Sequence, residues 1–302
     1  MASDSRRTEA SRSFARINMH EHIHTTAEAV TLLDAMGMSG VEHVVLLGSP
    51  RLVFEGGPRR FDEHDLNNAR ILSVQNAAPD RFSAFVTLDP SDPRRLAKLR
   101  GYVDAGARGV KLYSGHLHLH GAALDTPDMH AVYAYVQDHT LPLMLHVNLR
   151  HYAAELESLL SAFPRLELII PHLGVWAGRL SDLDELLVRH PNVYLDFSFG
   201  SRPDYVLAGL RLLSGRHQSF REFFSRHRHR IVYGTDVVVR KQHKAAAIAD
   251  LFWCYQRALE RHKYRCALAA DEELLGLALD EPTLRAIYEV NPRRLLALDP
   301  TR

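Results

Sequence analysis

Eight short apolar stretches recur along the chain, separated by amphipathic segments with a helical period. The stretches are rich in Val, Ile and Leu and apolar at nearly every position, which is typical of strands buried on both faces of a parallel sheet. The predicted strands are Ala15–Met19, His43–Leu47, Phe82–Leu88, Val110–Leu112, Leu141–Val147, Leu166–Ile170, Val193–Phe197 and Ile231–Tyr233. The alternation of strand and helix patterns therefore predicts parallel strands joined by helices.

Eight such strand and helix pairs, spread over about 250 residues, predict an α/β protein with a single (β/α)₈ or TIM barrel. A doubly wound open sheet is the alternative, but no G-x-G-x-x-G motif follows the first strand. We expect one domain over residues 14–302, with helices after the last strand. The polar residues 1–13 are expected to form a disordered tail.

Composition excludes several classes of protein. Lys and Arg number 37 against 36 Asp and Glu, which argues against a dedicated nucleic-acid binder. No apolar run approaches the roughly 20 residues of a membrane span, and no secretory signal is present, so we expect a cytoplasmic protein. Cys254 and Cys266, the two cysteines, fall in what reads as one helical region, which we interpret as excluding a disulfide scaffold.

Polar residues with metal-binding side chains follow several of the predicted strands. In barrel enzymes the chemistry lies at the C-terminal ends of the strands. His20 and His22 follow strand one and are two residues apart, so on a strand they point to the same side. His146, His172 and Asp236 end strands five, six and eight. Each alone is more often a core or capping residue, but together at one mouth they favour a metal site.

These segments resemble the amidohydrolase superfamily, specifically its amidohydrolase-related (amidohydrolase 2) branch. The resemblance covers nearly the whole chain and implies a distorted (β/α)₈ barrel with a catalytic divalent metal ion. The segments that carry it are INMHEH (17–22), GVKLY (109–113), LPLMLHV (141–147), LELIIPHLG (166–174), NVYLDFS (192–198), RIVYGTD (230–236) and IYEVNPRRLLAL (287–298). One departure is Asn18, since the family often has Asp two residues before the first histidine.

The resemblance implies roles for individual residues. His20, His22, His146 and Asp236 match the ligands of one metal ion, most typically zinc, although iron, manganese or cobalt also suits such a set. Asp236 also handles protons in the family. His172 matches a residue that assists the chemistry in one-metal members and binds the second ion in two-metal members. We therefore predict Asp236 and His172 as the catalytic residues.

Three further residues are candidates for substrate binding. Lys111, on strand four, is expected to bind a substrate anion; the alternative is that it is carboxylated and bridges two metal ions, as in two-metal members of the family. Tyr113 and Trp176 follow strands four and six and are expected to line the pocket, although core packing explains them equally well. The HLHLH segment at 116–120 is interpreted as a polar loop near the mouth.

The predicted function is hydrolysis of a small molecule by metal-activated water, which attacks a C–N or C–O bond of an amide, imine, ester or lactone. Within the same family, non-oxidative decarboxylation of a small aromatic carboxylic acid is the alternative. A metal-independent lactonase and a non-catalytic binding protein on the same barrel also stay open. The expected partner is the substrate, without nucleic acid or membrane, and assembly as a homodimer is left open.

Overall fold

The computed structural model describes residues 14–51, 53, 61–176, 179–270 and 272–299, so the predicted tail at 1–13 lies outside the described residues. Nine parallel strands of these residues form one sheet. In chain order they are β1 (Ile17–Ile23), β2 (His43–Leu47), β3 (Phe82–Thr87), β4 (Gly109–Gly115), β5 (Leu143–Val147), β6 (Leu168–Ile170), β7 (Val193–Phe197), β8 (Ile231–Tyr233) and β9 (Val237–Val239). Their order in the sheet is β8-β7-β6-β5-β4-β3-β2-β1-β9.

Helices connect the strands and continue after the sheet. They are α1 (Thr26–Ser39), α2 (His64–Ala77), α3 (Arg95–Asp104), α4 (Pro127–Asp138), α5 (Leu149–Ala162), α6 (Leu180–Arg189), α7 (Pro203–Gly215), α8 (His217–Arg226), α9 (Ala245–Glu260), α10 (Glu281–Arg285) and α11 (Asn291–Leu296). A small antiparallel pair, β10 (Lys263–Tyr264) and β11 (Leu274–Leu275), follows α9. Within the described ranges, no helix has the length and apolarity needed to cross a membrane.

The eighth strand of the barrel is broken into β8 and β9. β8 pairs with β7, whereas β9 pairs with β1, where Val237 lies opposite Glu21. Between the two halves, the Asp236 amide donates a hydrogen bond to the carbonyl of His20 at 2.8 Å. The sheet therefore curls round from β7 through the broken strand to β1, which confirms the predicted distorted barrel and places its irregularity beside Asp236.

Strand one is longer than predicted, and the alternation of its side chains between the two faces of the sheet is interrupted. It runs to Ile23, not to Met19, and its register with β2 shifts between Asn18 and Glu21. Ile17 and Met19 pack inside the barrel, so unbroken alternation would turn His20 and His22 towards the helices. The irregularity is a β-bulge, which re-aims the side chains that follow it. It lets both histidines face Asp236.

The apolar core has two parts. One lies between the sheet and the helices. The other fills the barrel with side chains from the strands and is closed by Leu295 and Leu296 of α11. Its strand members are Ile17, Met19, Val45, Leu47, Phe85, Met144, Ile169, Tyr194 and Val232. All of these strand members except Leu47 precede the last residue of their strand, which leaves the C-terminal strand ends for polar groups.

The two cysteines correct one prediction. Cys254 lies in α9, but Cys266 lies beyond that helix, after β10, and the two form a disulfide with their Cα atoms 5.2 Å apart. The interpretation that both belong to one helical region, which excluded a disulfide, is therefore wrong. A cross-link over a short loop of this kind stabilises a fold by about 3 kcal/mol in the chain-entropy account.

His43, at the start of β2, is expected to make stability fall in mild acid. Its Nδ1 donates to the carbonyl of Asp80 at 3.1 Å, its Nε2 lies 2.8 Å from the hydroxyl of Ser83, and burial lowers its pKa from 6.5 to about 4. The unfolded chain therefore binds the extra proton first as the pH falls through this range. The contribution of neutral His43 to the free energy of unfolding is complete above pH 6.5 and falls by about 3 kcal/mol towards pH 4. Urea unfolding at several pH values measures it.

The matched variant is His43→Gln, which cannot take up the proton. Its free energy of unfolding should vary less with pH over this window than that of the wild type. Parallel pH curves for the two proteins would show that His43 does not contribute.

Candidate metal centre

Three buried side chains converge at the C-terminal mouth of the barrel. The Nε2 atoms of His20 and His22 lie 3.2 and 3.0 Å from Oδ1 of Asp236. In the part of the chain that the structure describes, these three form a group whose ligand atoms all lie within 4.8 Å of one another. The strand-one bulge and the break in strand eight bring them together.

The remaining ring nitrogens fix which nitrogen of each histidine is free to act as a ligand. Nδ1 of His20 lies 2.6 Å from Oδ2 of Asp196, and a carboxylate can only accept, so this nitrogen carries the proton. Nδ1 of His22 lies 2.8 Å from the hydroxyl of Ser49 and 3.3 Å from the carbonyl of Leu47. In the neutral form of both rings, each Nε2 atom therefore presents a lone pair beside Asp236. Two neutral imidazoles and a carboxylate, each oriented by an outer hydrogen bond, suit zinc and related divalent ions.

The charges in the group shift the pKa values in opposite directions. Burial alone would raise the pKa of Asp236, but the three histidines around it lower that pKa well below its usual range. Burial works against protonation of His20, yet the charges of Asp236 and Asp196 raise its pKa. For His22, burial dominates and lowers the pKa. The group as a whole is thus built around an ionised carboxylate.

His172 lies on the other side of the same carboxylate. Its Nε2 is 3.7 Å from Oδ2 of Asp236, and its Nδ1 is 2.8 Å from the hydroxyl of Ser198. Because that hydroxyl donates to Asp196 at 2.6 Å, it accepts from His172, so Nδ1 carries the proton. Burial lowers the pKa of His172 to about 3. In its neutral form, His172 therefore presents an unprotonated Nε2 to Asp236.

The backbone after β6 is unusual. From His172 to Trp176, five successive residues have positive φ angles between 48° and 67°, and only Gly174 among them is a glycine. Such a left-handed turn is costly for residues with a Cβ atom, and strain of this kind concentrates at functional sites. Trp176 ends the turn, and its indole Nε1 donates a hydrogen bond to the carbonyl of Phe199 at 3.1 Å.

His146 stands apart from the convergent group. It is half-buried, and its ring packs between those of His116 and His172, with centroids at 4.6 and 5.0 Å. It belongs to neither of the two candidate ligand groups found among the described residues. Its role as a ligand stays a prediction. The ring contact also brings His116, from the HLHLH segment, to the mouth.

Lys111 and Tyr113 of β4 lie beside the group. Lys111 is buried, and desolvation lowers its pKa to about 8 although the charges of Asp236 and Asp196 oppose the shift. Its Nζ lies 5.1 Å from the centre of the Tyr113 ring. The Tyr113 hydroxyl is 2.7 Å from the hydroxyl of Ser49, which in turn contacts His22.

A cavity of about 610 Å³ opens between the loops that follow β3 and β4. Phe61 lines it, and the Phe61 ring also meets the Tyr113 ring at 6.0 Å. Ser114 lines it as well, and among the residues that the structure describes its buried hydroxyl finds no hydrogen-bond partner. Through Phe61, the cavity thus adjoins Tyr113 beside the candidate centre.

Sequence reasoning missed the residues that hold the ligands in place. Asp196, Ser198 and Ser49 were not among the predicted site residues, yet they bond the Nδ1 atoms of the three central histidines. All three lie at or just beyond the C-terminal ends of strands, and that position is the signal that points to them.

A (β/α)₈ barrel with such a group at its mouth has the arrangement of metal-dependent barrel enzymes. The chain belongs to the amidohydrolase family, whose model matches residues 47–298 and so confirms the predicted resemblance. The match includes Lys111, His146, His172 and Asp236 and begins after the strand-one pair. No curated protein matches the chain.

Solved structures of similar fold include both hydrolases and decarboxylases. A probable 2-pyrone-4,6-dicarboxylic acid hydrolase from Acinetobacter baumannii is 16% identical, with TM-score 0.62 over 93% of this chain and 99% of that one. A manganese complex of 5-carboxyvanillate decarboxylase from Novosphingobium aromaticivorans is 14% identical, with TM-score 0.58 over 98% and 100%. An amidohydrolase from Burkholderia multivorans with bound zinc is 15% identical, with TM-score 0.61 over 94% and 100%. At these identities, the likeness shows the fold alone.

Proposed function

We propose that this protein is a metal-dependent hydrolase that uses water to break a C–N or C–O bond of a small molecule: an amide, imine, ester or lactone. The observation that carries the proposal is that the two carboxylate oxygens of Asp236 face different partners. Oδ1 faces the free nitrogens of His20 and His22, while Oδ2 faces His172. One carboxylate thus serves both a ligand group and a proton-transfer partner.

The residues fit one divalent ion. His20, His22 and Asp236 would hold it, with His146 as the proposed fourth ligand and zinc as the first choice over iron, manganese or cobalt. When bound, such an ion lowers the pKa of water towards about 7 and polarises a carbonyl group.

The chain's own residues supply the proton transfers. Asp236 accepts a proton from the attacking water through Oδ2, the oxygen that faces His172. His172 can only accept at Nε2 in its neutral form, so it takes this proton before it donates one to the leaving group. Asp196 remains an acceptor for His20 throughout.

Substrate binding is proposed for Lys111, Tyr113 and Trp176. A buried ammonium group in the mouth would pair with an anionic group of the substrate, and the two aromatic rings would form part of the wall. The cavity beside Phe61 offers space for the remainder of the molecule. Carboxylation of Lys111 as a bridge between two ions is the second proposal for this residue. The group formed by His20, His172 and Asp196 is the feature that favours it.

Decarboxylation of a small aromatic carboxylic acid is the second candidate function. Lys111 favours it, because a buried cation at the mouth suits a substrate carboxylate. A 5-carboxyvanillate decarboxylase also shares the fold.

A panel of lactones, N-acyl amides, cyclic imides and hydroxybenzoates tests the choice. Zinc-loaded and chelated protein would be compared for hydrolytic product by chromatography and for released CO₂. We expect ring-opened or deacylated product only in the zinc-loaded protein, with no CO₂. CO₂ release would establish the second candidate, and hydrolysis that survives chelation would establish a metal-independent lactonase.

A further inference from the structure

Glu21, the residue between the two histidines of strand one, is completely buried and bonded to both sides of Asp236. Its Oε2 accepts from the backbone amide of Val237 at 3.0 Å. Its Oε1 accepts from the hydroxyl of Thr235 and from the side-chain amide of Asn18, the latter at 2.7 Å. One carboxylate therefore joins β1 to the residues immediately before and after Asp236.

Asp236 needs such support because its backbone is strained. Its φ of +56° lies in the left-handed region, which divides strand eight into β8 and β9. A conformation of this kind persists only where the surroundings fix it. The two Glu21 contacts and the bond from the Asp236 amide to the His20 carbonyl supply three fixed points around it.

We propose that Glu21 and Asn18 act as a positioning pair that holds the left-handed break at Asp236 and so sets the geometry of the metal-ligand group. The inference rests on the proposed function. It assigns a task to a buried carboxylate that is neither a candidate ligand nor a proton carrier. Glu21 touches no substrate; it acts through Thr235 and Val237.

Asn18 completes the pair because its side chain both donates and accepts. Its amide nitrogen donates to Glu21 and to the Thr235 hydroxyl, at 2.7 and 3.0 Å, and its amide oxygen accepts from the His20 backbone amide at 3.1 Å. An Asp at position 18 would set a carboxylate oxygen against the Glu21 oxygen, where Asn18 now places a donor. Asn at 18 and Glu at 21 are therefore matched: one supplies the donor that the other requires.

A double-mutant cycle tests the pair. The variants are Glu21→Gln, Asn18→Asp and the double variant Asn18→Asp/Glu21→Gln. The control is Glu157→Gln, a partly exposed residue of α5 that bonds Arg189 and His190. Zinc affinity of the metal-free protein would be measured by competition with a chelator, alongside thermal unfolding without metal. We expect each single variant to bind zinc about 10- to 100-fold more weakly, the usual effect of losing an outer-shell partner. The double variant restores one amide facing one carboxylate and should recover most of the affinity.

The outcomes separate this inference from the proposed function. Single variants that bind zinc as tightly as the wild type, or a double variant no better than the singles, would overturn the pairing while the metal centre stands. Singles that lower the unfolding temperature with unchanged zinc affinity would reduce Glu21 to a structural role and also overturn it. A wild type without a zinc site would remove the proposed function itself. Should a single variant fail to fold, the double variant is still expected to fold and bind zinc.

Discussion

Replacing Asp236 with Asn is expected to leave the fold intact and to lower turnover by at least about 10³-fold. The amide keeps the size of the side chain, and Asn adopts left-handed backbone conformations as readily as Asp does, so the break in strand eight should persist. The negative charge facing His20 and His22 is lost, and with the amide oxygen turned to these two histidines an NH₂ donor replaces the acceptor that faced His172. Steady-state kinetics on a substrate found with the panel above, together with circular dichroism, measure the effect.

An exposed carboxylate serves as the control for this substitution. Asp138 lies at the end of α4 and pairs only with the surface residue Arg165 in the described structure, so Asp138→Asn should retain wild-type turnover. Turnover of Asp236→Asn within a few fold of the wild type would refute the division of tasks proposed for Asp236.

Asp196→Asn is expected to weaken metal binding about 10- to 100-fold. Asp196 is fully buried and accepts from Nδ1 of His20 at 2.6 Å, which holds the ring and makes its Nε2 more basic. The amide oxygen of Asn still accepts this hydrogen bond, but without the charge. The result would be read as the zinc dissociation constant of the metal-free protein, separately from turnover at saturating zinc.

Ser198→Ala is the matched comparison. It removes the bond to Nδ1 of His172 and the hydroxyl's own bond to Asp196, but leaves the charged Asp196 bonded to His20. We expect a smaller loss of zinc affinity than in Asp196→Asn and a larger loss of turnover at saturating zinc. Equal zinc affinity in Asp196→Asn and the wild type would show that Asp196 does not support the ligand.

The barrel itself was predictable because strands buried on both faces have a recognisable local sequence pattern. Runs such as Val193–Phe197 and Ile231–Tyr233 are apolar at almost every position, and the structure has strands over the same residues. The ends of strand one were not predictable in this way. Beyond Met19 the chain reads as polar, yet His20, Glu21 and His22 are all buried. Their side chains bond to Asp196, Thr235 and Ser49, respectively, and these partners lie far away in the sequence.

The candidate site was predictable only in part, for a related reason. Side-chain type at strand ends pointed to His20, His22, His172 and Asp236, and the structure gathers them. The bulge that turns the histidines inward has no sequence period of its own. The bond from His20 to Asp196 spans 176 residues, so no local pattern reveals it.

Zinc titration of the metal-free wild type, beside His22→Ala and the exposed control His139→Ala, tests the central claim most directly. The measurement is isothermal calorimetry with elemental analysis of the loaded proteins. The account predicts one equivalent of zinc in the wild type and in the control, and a large loss of affinity in His22→Ala, which removes one of the convergent nitrogens. A wild type that binds no stoichiometric divalent ion, or a His22→Ala variant that binds as tightly as the wild type, would contradict it.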